Sequence, residues 1–484
     1  MSTHAIESPA IPVLAGALPP PGRRTFAQRR RDRRESLFPG ATAKMFDEPI
    51  VISRSLLGRV AFVNDPGAVR RVLVENVANY PKTSLEKRFF TAIFGAGLLG
   101  TDGELWRRHR RIMAPSFDPR SVAAYGPAVS AAAQAFVERW KALPPAAAVD
   151  MTEEMTDLTL RIISLTMFST DDQPALDAIN RSLRGGADAI GDVNLLDLLP
   201  VTGPARMRRR ERDVVRLFAP LDELVGRLMA ERQAAGGAAP PDLLTRLMAA
   251  ADDQTGAKMT AREVRDEVVT IFMAGHETTA MTMDWIWYLL SQHPGDSARL
   301  HEELDRVLAG RPAGQDDLPS LPLARRTVEE AMRLYPAAPA LSSRIALEAD
   351  TLCGRPIAKG TNVAILPWVL HRHRALWDDP ERFDPDRFLP ARSVGRQRFA
   401  FLPFGAGPRV CIGQVLAMNE AVLILATLAQ HFSPALAPDT RVALRANITL
   451  RPKHPLKMLL ERRQSVPRHD EAPAAAISEH MPAG

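Results

Sequence analysis

Cysteine is scarce in this sequence: its 484 residues contain only Cys353 and Cys411. Two thiols cannot form a framework of disulfides, and such sparse use of cysteine is typical of proteins from a reducing cytoplasm. We therefore expect a cytoplasmic protein in which each cysteine is either inert packing or a chemically active group.

Long apolar runs are absent as well. No stretch of about 18 apolar residues is present, so the sequence predicts no membrane span. The early apolar segment, residues 11–22, is short and has no basic residues before it, so no secretion signal is predicted. The net charge of +6 is small for this length, and much of it lies in residues 23–36. Such a cluster is more typical of a solvated tail than of a nucleic-acid-binding arm, and no nucleic-acid partner is expected.

Both ends of the chain differ from its middle. Residues 1–38 and 464–484 are rich in proline, alanine and charge without periodicity, which predicts a flexible Pro/Arg-rich N-terminal segment and a disordered C-terminal tail. Between them, residues 39–463 show no strong internal linker and are predicted to form one domain. Alternating patterns at residues 50–65 and 351–366 indicate short strands, whereas most of the remainder has helical spacing. The predicted fold class is mainly α with a minor β region.

The longest helical pattern starts at a capping box formed by Thr260 and Glu263 and ends before Pro294. Its middle is apolar on all sides, which predicts a buried helix. Gly275 and the β-branched Thr278 then interrupt the favourable helix composition. Such local inconsistency is typical of functional sites.

Two residues of this helix suggest chemistry. Thr278 follows Ala274 by four positions, so its hydroxyl can bond to that carbonyl and open a polar notch in an apolar wall. Glu277 beside it could supply protons. The alternative interpretation is a buried helix with a packing glycine, Gly275, and a satisfied threonine.

A glycine pattern at residues 95–100, GAGLLG, fits the G-x-G-x-x-G form of dinucleotide sites. Asp102 and Gly103 interrupt the sequence where the required helix should begin, so no dinucleotide site is predicted. No phosphate loop of the G-x-x-x-x-G-K form is present either, which argues against a nucleotide hydrolase of that class.

Cys411 lies in the sequence FGAGPRVCIG, residues 404–413. The three glycines of this segment remove side chains and would let a large, flat group approach the backbone. A helix is predicted to follow, and its N-terminal dipole, together with Arg409, would favour a thiolate. A metal-bound thiolate fits this setting, whereas a nucleophilic cysteine would need a base from elsewhere in the fold. The residues alone leave both interpretations open.

Glu330 and Arg333 are three residues apart, so they share one face of a predicted helix. On a surface such a pair is common and contributes about 0–1 kcal/mol. Arg387, from the segment DPDRF, could complete a buried network with them. Removing one member of a desolvated network would be costly.

Five short segments resemble signatures of the cytochrome P450 superfamily. FGAGPRVCIG resembles its haem-binding signature F-G-x-G-x-R-x-C-x-G, and AGHETT, from Ala274, is similar to the oxygen-activation segment of its long central helix. EAMR and DPDRF resemble its E-x-x-R and P-x-R-F elements, and DGELWRRHRRIM resembles its W-x-x-x-R segment. The sequence is thus identified as a soluble, bacterial-type haem-thiolate monooxygenase. The implied fold has a long central helix over a buried haem.

The resemblance implies a role for each matching residue. It makes Cys411 the thiolate ligand of the iron of haem b, which favours O–O cleavage. The residues implied to bind and activate dioxygen are Thr278, Glu277 and Gly275. The residues implied to bind the cofactor or to support its loop are Cys411, Trp106, Arg110, Arg344, Arg409, Phe404, Gly413, Glu330, Arg333 and Arg387. The register of the P-x-R-F element selects Arg387 rather than Arg382. By the same analogy, an apolar substrate pocket would include Phe89, Phe94, Phe272, Ala274, Ala338 and Leu341.

The implied activity inserts one atom of O2 into a mostly apolar organic substrate, and a fatty acid, a terpenoid, a steroid and an aromatic compound all remain open. Little sequence follows the haem-binding segment, so we expect a separate electron donor, a ferredoxin or a flavodoxin with its reductase. Three arginines either form a basic docking patch for this donor or are a solvated helix face: Arg107, Arg108 and Arg111. The alternatives are a peroxide-using haem-thiolate enzyme of the same fold, and a non-haem thiol enzyme or binding module.

Overall fold

The computed structural model describes residues 42–55, 58–191 and 203–463. The predicted N-terminal segment, residues 1–38, and the predicted C-terminal tail, residues 464–484, lie outside the described residues. The boundaries of the single domain therefore remain a prediction.

Helices make up most of the described chain, as the spacing of apolar residues predicted. In chain order they are α1 Pro66–Arg70, α2 Ser84–Phe94, α3 Gly103–Met113, α4 Pro119–Ala123, α5 Gly126–Lys141, α6 Met151–Phe168, α7 Gln173–Gly191, α8 Gly203–Ala235, α9 Leu243–Ala249, α10 Ala261–Gln292, α11 Pro294–Leu308, α12 Pro322–Leu334, α13 Pro367–Leu370, α14 Pro390–Ser393 and α15 Gln414–Ala429. Within the described ranges, none of them combines the length and the apolar character needed to cross a bilayer.

The β part is small. The strands of the described chain are β1 Ile50–Ser55, β2 Gly58–Val63, β3 Ala148–Asp150, β4 Arg344–Ile345, β5 Asp350–Leu352, β6 Arg355–Ile357, β7 Asn362–Ala364, β8 Phe432–Leu436, β9 Leu444–Ala446, β10 Leu450–Pro452 and β11 Lys457–Arg462. They form a sheet of order β1-β2-β7-β4, a sheet of order β3-β11-β8 and the pairs β5-β6 and β9-β10. The strands predicted from the first alternating pattern are the antiparallel pair β1-β2, in which Ile50 lies opposite Val63. The predicted fold class, mainly α with a minor β region, is confirmed.

Helix α10 is the central element of the fold. The predicted capping box closes its first turn, because the N–H of Glu263 donates to Thr260 Oγ1 at 3.2 Å and the N–H of Thr260 donates to Glu263 Oε2 at 2.8 Å. The helix packs against α6, α12 and α15, and most of its residues are buried. Ala274, at its centre, is exposed. The buried helix is thus open at the point where its composition indicated a functional site.

The glycine-rich loop between α2 and α3 packs directly on α10. Gly95 has a φ of +68°, and a Cβ at this position would be 2.3 Å from the Asp266 side chain. The N–H of Leu98 donates to Glu267 Oε2 at 3.0 Å. The other oxygen of Glu267 lies 2.7 Å from Nδ1 of His109, on α3. These glycines therefore bring the loop and α3 close to two carboxylates of α10.

Candidate functional site

The loop that carries Cys411 is held by its own backbone. The N–H of Cys411 donates to the carbonyl of Phe404 at 2.9 Å. Gly407 has a φ of +72°, and a Cβ there would be 1.9 Å from the carbonyl oxygen of Leu73, so the position requires glycine. A Cβ on Gly413, in contrast, would meet no protein atom within 4 Å. The glycines therefore have two functions: Gly407 admits a neighbouring backbone, and Gly413 leaves space beside the cysteine.

The surroundings of Cys411 do not create a reactive thiolate on their own. The residue is exposed on one side, yet the protein around it desolvates the sulfur and raises the pKa of the thiol. The N–H of Gly413 and the charge of Arg110 oppose this rise without reversing it. A raised pKa gives no support to a nucleophilic cysteine, which needs a lowered pKa. A bound metal cation deprotonates a coordinating thiol outright, so these contacts favour a metal ligand.

Arg344 and Lys82 are buried cations on neighbouring strand segments. The Nη1 atom of Arg344 is buried and has no hydrogen-bond partner among the described residues. Burial and the charge of Arg409 lower the pKa of Arg344. Lys82 donates to the carbonyl of Leu99 at 2.7 Å, and burial, with the charge of Arg409, lowers its pKa to about 8. The sequence patterns did not single out Lys82, because a lone lysine outside any motif carries no signal.

Arg409 and Trp106 lie together next to these cations. The Arg409 guanidinium is 4.1 Å from the centre of the Trp106 ring, and it forms an ion pair with Asp102. Arg110 is one helical turn after Trp106 on α3. Burial lowers the pKa of Arg110, and its charge interacts with Cys411 rather than with a carboxylate of the described chain. The four predicted residues around the cysteine loop therefore come from three separate parts of the sequence.

Glu330, Arg333 and Arg387 form the predicted network. Arg333 donates to Glu330 through Nε at 2.7 Å and through Nη2 at 2.8 Å, and both side chains are fully buried. Arg387 Nε lies 3.4 Å from Glu330 Oε1, and its Nη2 donates to the carbonyl of Asp379 at 2.7 Å. Arg382 contributes only its carbonyl, to Arg333 at 3.0 Å. The choice of Arg387 over Arg382 is confirmed as a matter of geometry.

His371 connects this network to the cysteine loop. Arg333 Nη1 donates to the carbonyl of His371 at 2.9 Å. The His371 ring is fully buried, and its Nε2 accepts the N–H of Leu402 at 2.8 Å. Burial, with the charge of Arg333, lowers the pKa of His371 to about 3, so the ring is neutral and can accept. The carbonyl of Leu402 in turn accepts the N–H of Gly405 at 3.2 Å, which brings the connection into the loop.

The predicted notch is present in α10. Thr278 Oγ1 donates to the carbonyl of Ala274 at 2.7 Å, and Thr278 is half-buried beside the exposed Ala274. Gly275 has a packing role, because a Cβ there would be 3.0 Å from Ile163 Cδ1 of α6. Both interpretations of this segment therefore hold in part: the threonine is satisfied and the glycine packs, yet the helix is open at this point.

Glu277 is bound by two residues that the sequence patterns did not single out. Thr449 Oγ1 donates to Glu277 Oε1 at 2.5 Å, and Arg451 forms an ion pair with the same oxygen. The two donors lie more than 170 residues away in sequence, on a hairpin near the end of the described chain. No local pattern could have identified them.

Two predicted residues of the substrate pocket, Phe94 and Phe272, are buried. Phe272 is fully buried and stacks on Phe168, with the ring centres 5.9 Å apart. Phe94 is 5% exposed and packs against Phe218 at 6.3 Å. Both rings belong to an apolar core between helices, because residues next to each other on a helix point in different directions and the sequence does not reveal which face is open.

Phe89 and Ala338, two of the other predicted pocket residues, are half-buried. Leu341 lies against the cysteine loop, where its Cδ2 is 3.8 Å from the position of a Cβ on Gly405. Together with the exposed Ala274, these residues remain candidates for a pocket wall.

The three arginines that form either a basic docking patch or a solvated helix face are all paired within the described chain. Each arginine is paired with a carboxylate: Arg107 with Glu104, Arg108 with Glu263 and Arg111 with Asp252. The pairs of Arg108 and Arg111 join α3 to α10 and to the segment before α10.

Cys353, for which inert packing was one of the two predicted roles, is exposed. It occupies the turn between β5 and β6 with a φ of +49°. Cys353 is therefore a turn residue and not part of an apolar core.

The cysteine loop and the cations suit one kind of cofactor. Cys411 is an exposed thiol beside a glycine with free space, which fits a flat group that carries a metal. In the part of the chain that the structure describes, the nearby carboxylates, Asp102 and Glu86, are outnumbered by four cations: Lys82, Arg110, Arg344 and Arg409. Arg344 Nη1 lacks an acceptor there. A cofactor with acidic groups of its own would balance the excess positive charge and would accept the hydrogen bond of Arg344 Nη1. An iron porphyrin has these properties, so the fold and the site define a haem-thiolate protein.

Comparisons with known proteins agree with this class. The family model of cytochrome P450 matches residues 39–460. Cyclooctatin synthase of Streptomyces melanosporofaciens is 37% identical over 404 residues, which are 82% of this chain and 85% of that protein. Pentalenene oxygenase of Streptomyces avermitilis is 35% identical over 376 residues, 76% and 80% of the two chains. The crystal structure of the cytochrome P450DA heme domain has a TM-score of 0.75 at 28% identity and covers 86% of this chain and 90% of that one.

The chain belongs to the cytochrome P450 family. It is a haem-binding monooxygenase that uses O2, receives electrons from a redox partner and oxidises an apolar organic substrate.

Proposed function

We propose that this enzyme binds haem b and oxidises a terpenoid with electrons from a ferredoxin or a flavodoxin. The main support for O2 activation at this site is the notch in α10. There the Thr278 hydroxyl donates a hydrogen bond to the Ala274 carbonyl beside an exposed helix face. A terpenoid is proposed because two relatives are named for pentalenene and for cyclooctat-9-en-7-ol. The scarcity of cysteine supports a cytoplasmic location.

Each site residue has a proposed role. Cys411 ligates the iron, and its sulfur is supported by the N–H of Gly413 and by the backbone bond to Phe404. When bound, haem supplies the redox-active iron at which O2 is reduced. The residues proposed to meet the acidic side chains of the haem are Trp106, Lys82, Arg110, Arg344 and Arg409. The residues proposed to hold the cysteine loop in place are Glu330, Arg333 and Arg387.

An Arg344→Gln variant is expected to release haem faster. The Nη1 atom has no hydrogen-bond partner among the described residues, so the substitution removes a charge-assisted hydrogen bond to the cofactor without breaking an internal one there. Such a bond contributes about 1.5–3 kcal/mol, which corresponds to about tenfold to 100-fold in affinity. The measurement is the rate of haem transfer to an excess of apomyoglobin. Arg355→Gln, at an exposed position of β6, is the matched control, and equal release rates in the two variants would contradict the role of Arg344.

A Thr278→Ala variant is expected to keep the haem spectrum but to convert more O2 to peroxide. The hydroxyl is proposed to help deliver protons in the notch, and positioned proton transfer contributes about 100-fold or more to catalysed steps. We expect the yield of product per NADH to fall by about tenfold or more. Peroxide and NADH are measured together.

Thr282→Ala provides the control for this variant. Thr282 makes the same kind of bond, to the Thr278 carbonyl at 2.9 Å, but it is buried. Full coupling in Thr278→Ala would refute the assigned role and would favour the peroxide-using alternative, which does not need this hydroxyl.

The electron donor can be tested directly. Reduction of the enzyme under carbon monoxide is followed by stopped flow, once with a ferredoxin and once with a flavodoxin, each with its reductase. Reduction by at least one of them is expected. If neither reduces the enzyme while dithionite does, the proposed class of donor is wrong.

The substrate class is tested by spectral titration. Pentalenene is compared with pentadecanoic acid, a straight-chain compound with the same number of carbon atoms. We expect pentalenene to displace the iron-bound water at a lower concentration, and its product to carry one atom of labelled oxygen from 18O2. Tighter binding and turnover of the fatty acid would overturn the terpenoid proposal.

A further inference from the structure

The hairpin formed by β9 and β10 is fixed against α10. Its strands are antiparallel, with Leu450 opposite Ala446. The indole N–H of Trp285, on α10, donates to the carbonyl of Leu450 at 3.0 Å, and the N–H of Leu450 donates to the carbonyl of Ala337 at 3.0 Å. Because Leu450 is held from both sides, the residues on either side of it, Thr449 and Arg451, have a defined position relative to the helix.

Thr449 and Arg451 both act on one atom of α10. Thr449 is 3% exposed, and its hydroxyl donates to Glu277 Oε1 at 2.5 Å. Arg451 Nη2 pairs with the same oxygen. The other oxygen, Oε2, receives no hydrogen bond from a residue of the described chain. The Glu277 carboxylate is thus held through Oε1, and Oε2 is available to exchange a proton.

The ion pair between Glu277 and Arg451 contributes little to the stability of the fold. The side chains of Glu277 and Arg451 are 24% and 26% exposed, and pairs with such access to solvent contribute little. Its position is informative instead, because Glu277 directly precedes Thr278, whose hydroxyl lies in the notch. A glutamate has several rotatable bonds, and a proton donor must be held within hydrogen-bond reach of its acceptor to be effective.

We infer that Thr449 and Arg451 are positioning residues that hold the Glu277 carboxylate for proton delivery at the Thr278 notch. This inference rests on the proposed roles of Glu277 and Thr278. It adds that the β9-β10 hairpin sets how efficiently reducing equivalents are used. Neither residue needs to contact the substrate or the haem for this effect.

The variants Thr449→Val and Arg451→Met test the inference. Each removes one donor to Oε1 and keeps a side chain of similar size. With a ferredoxin and its reductase, peroxide released per NADH is measured without an organic substrate and with pentalenene as the probe. We expect the peroxide fraction to rise by about threefold to tenfold in both variants, together with a changed solvent isotope effect. Haem content and melting temperature are expected to stay unchanged.

Three further variants separate positioning from a general disturbance of the hairpin. Thr449→Ser and Arg451→Lys keep the donors, so they are expected to restore most of the coupling. Arg445→Gln changes the residue opposite Arg451 in the hairpin and is expected to leave the coupling unchanged. In a Glu277→Gln background, Thr449→Val is expected to add no further loss, because residues that act through one group are not additive.

A crystal structure of haem-loaded Thr449→Val gives a readout that does not depend on activity. We expect the Glu277 carboxylate to be displaced while the Thr278 bond to Ala274 is retained. The inference is overturned if the carboxylate is unmoved and coupling is normal, or if Thr449→Val lowers the coupling equally in the Glu277→Gln background. Those results differ from failure of the proposed function, in which the Thr278→Ala variant would itself stay fully coupled.

Discussion

A Cys411→Ala variant is expected to lose the carbon-monoxide difference spectrum of a thiolate-ligated haem and to lose turnover by more than about 100-fold. Loss of a supporting residue outside the first coordination shell already costs about 10-fold to 100-fold, and this substitution removes the proposed ligand itself. Burial raises the pKa of this thiol, so the proposed thiolate would depend on bound iron. The spectrum of the reduced, carbon-monoxide-treated variant is the measurement.

Cys353→Ala is the control for this substitution. Cys353 is exposed in a turn, and its removal is expected to leave the spectrum and the turnover unchanged. A colourless wild-type protein would restore the non-haem thiol alternative. A Cys411→Ala variant that keeps the thiolate spectrum would show that Cys411 is not the ligand.

An Arg333→Met variant is expected to be severely destabilised. The substitution leaves Glu330 fully buried without its bidentate partner, and it leaves the carbonyl of His371 without its donor. Breaking a buried pair by removing one member costs about 3–5 kcal/mol. This is a large fraction of the total stability of a typical domain. The measurement is urea unfolding of the haem-loaded enzyme, together with the yield of folded protein.

The same helix provides a matched control. Arg325 and Glu329 form an i,i+4 pair at 3.3 Å on α12, and the Arg325 side chain is 55% exposed. Arg325→Met is expected to change the free energy of unfolding by no more than about 1 kcal/mol. The double variant Glu330→Gln/Arg333→Met is expected to be more stable than Arg333→Met, because it removes both charges. Equal effects of Arg333→Met and Arg325→Met would contradict a structural role for the network.

Local sequence patterns predicted the parts of the site that depend on near neighbours. The capping box of α10, the bond from Thr278 to Ala274 and the pair of Glu330 with Arg333 each join residues three or four positions apart. Helix geometry alone brings such residues together. Arg387 was also predicted correctly, although it is distant, because it stands in a motif with a fixed register.

Contacts between distant segments could not be predicted in this way. Arg108 and Arg111 read as free surface charges, yet tertiary packing brings carboxylates from beyond residue 250 against them. Phe272 reads as a pocket wall, whereas its ring faces the core and Ala274, two residues later, is the exposed position. Helical spacing predicts which residues share one face of a helix. Which face is buried, and against which neighbouring element, depends on the tertiary packing.

The neutral ring of His371 has a consequence for how the enzyme responds to acidity. Its hydrogen bond to Leu402 requires a bare nitrogen, and the pKa of about 3 keeps that nitrogen bare at any acidity that a cell experiences. Most histidines change charge near neutral pH. This histidine does not, so the hydrogen bond that joins it to the cysteine loop through Leu402 is insensitive to acidification near neutral pH.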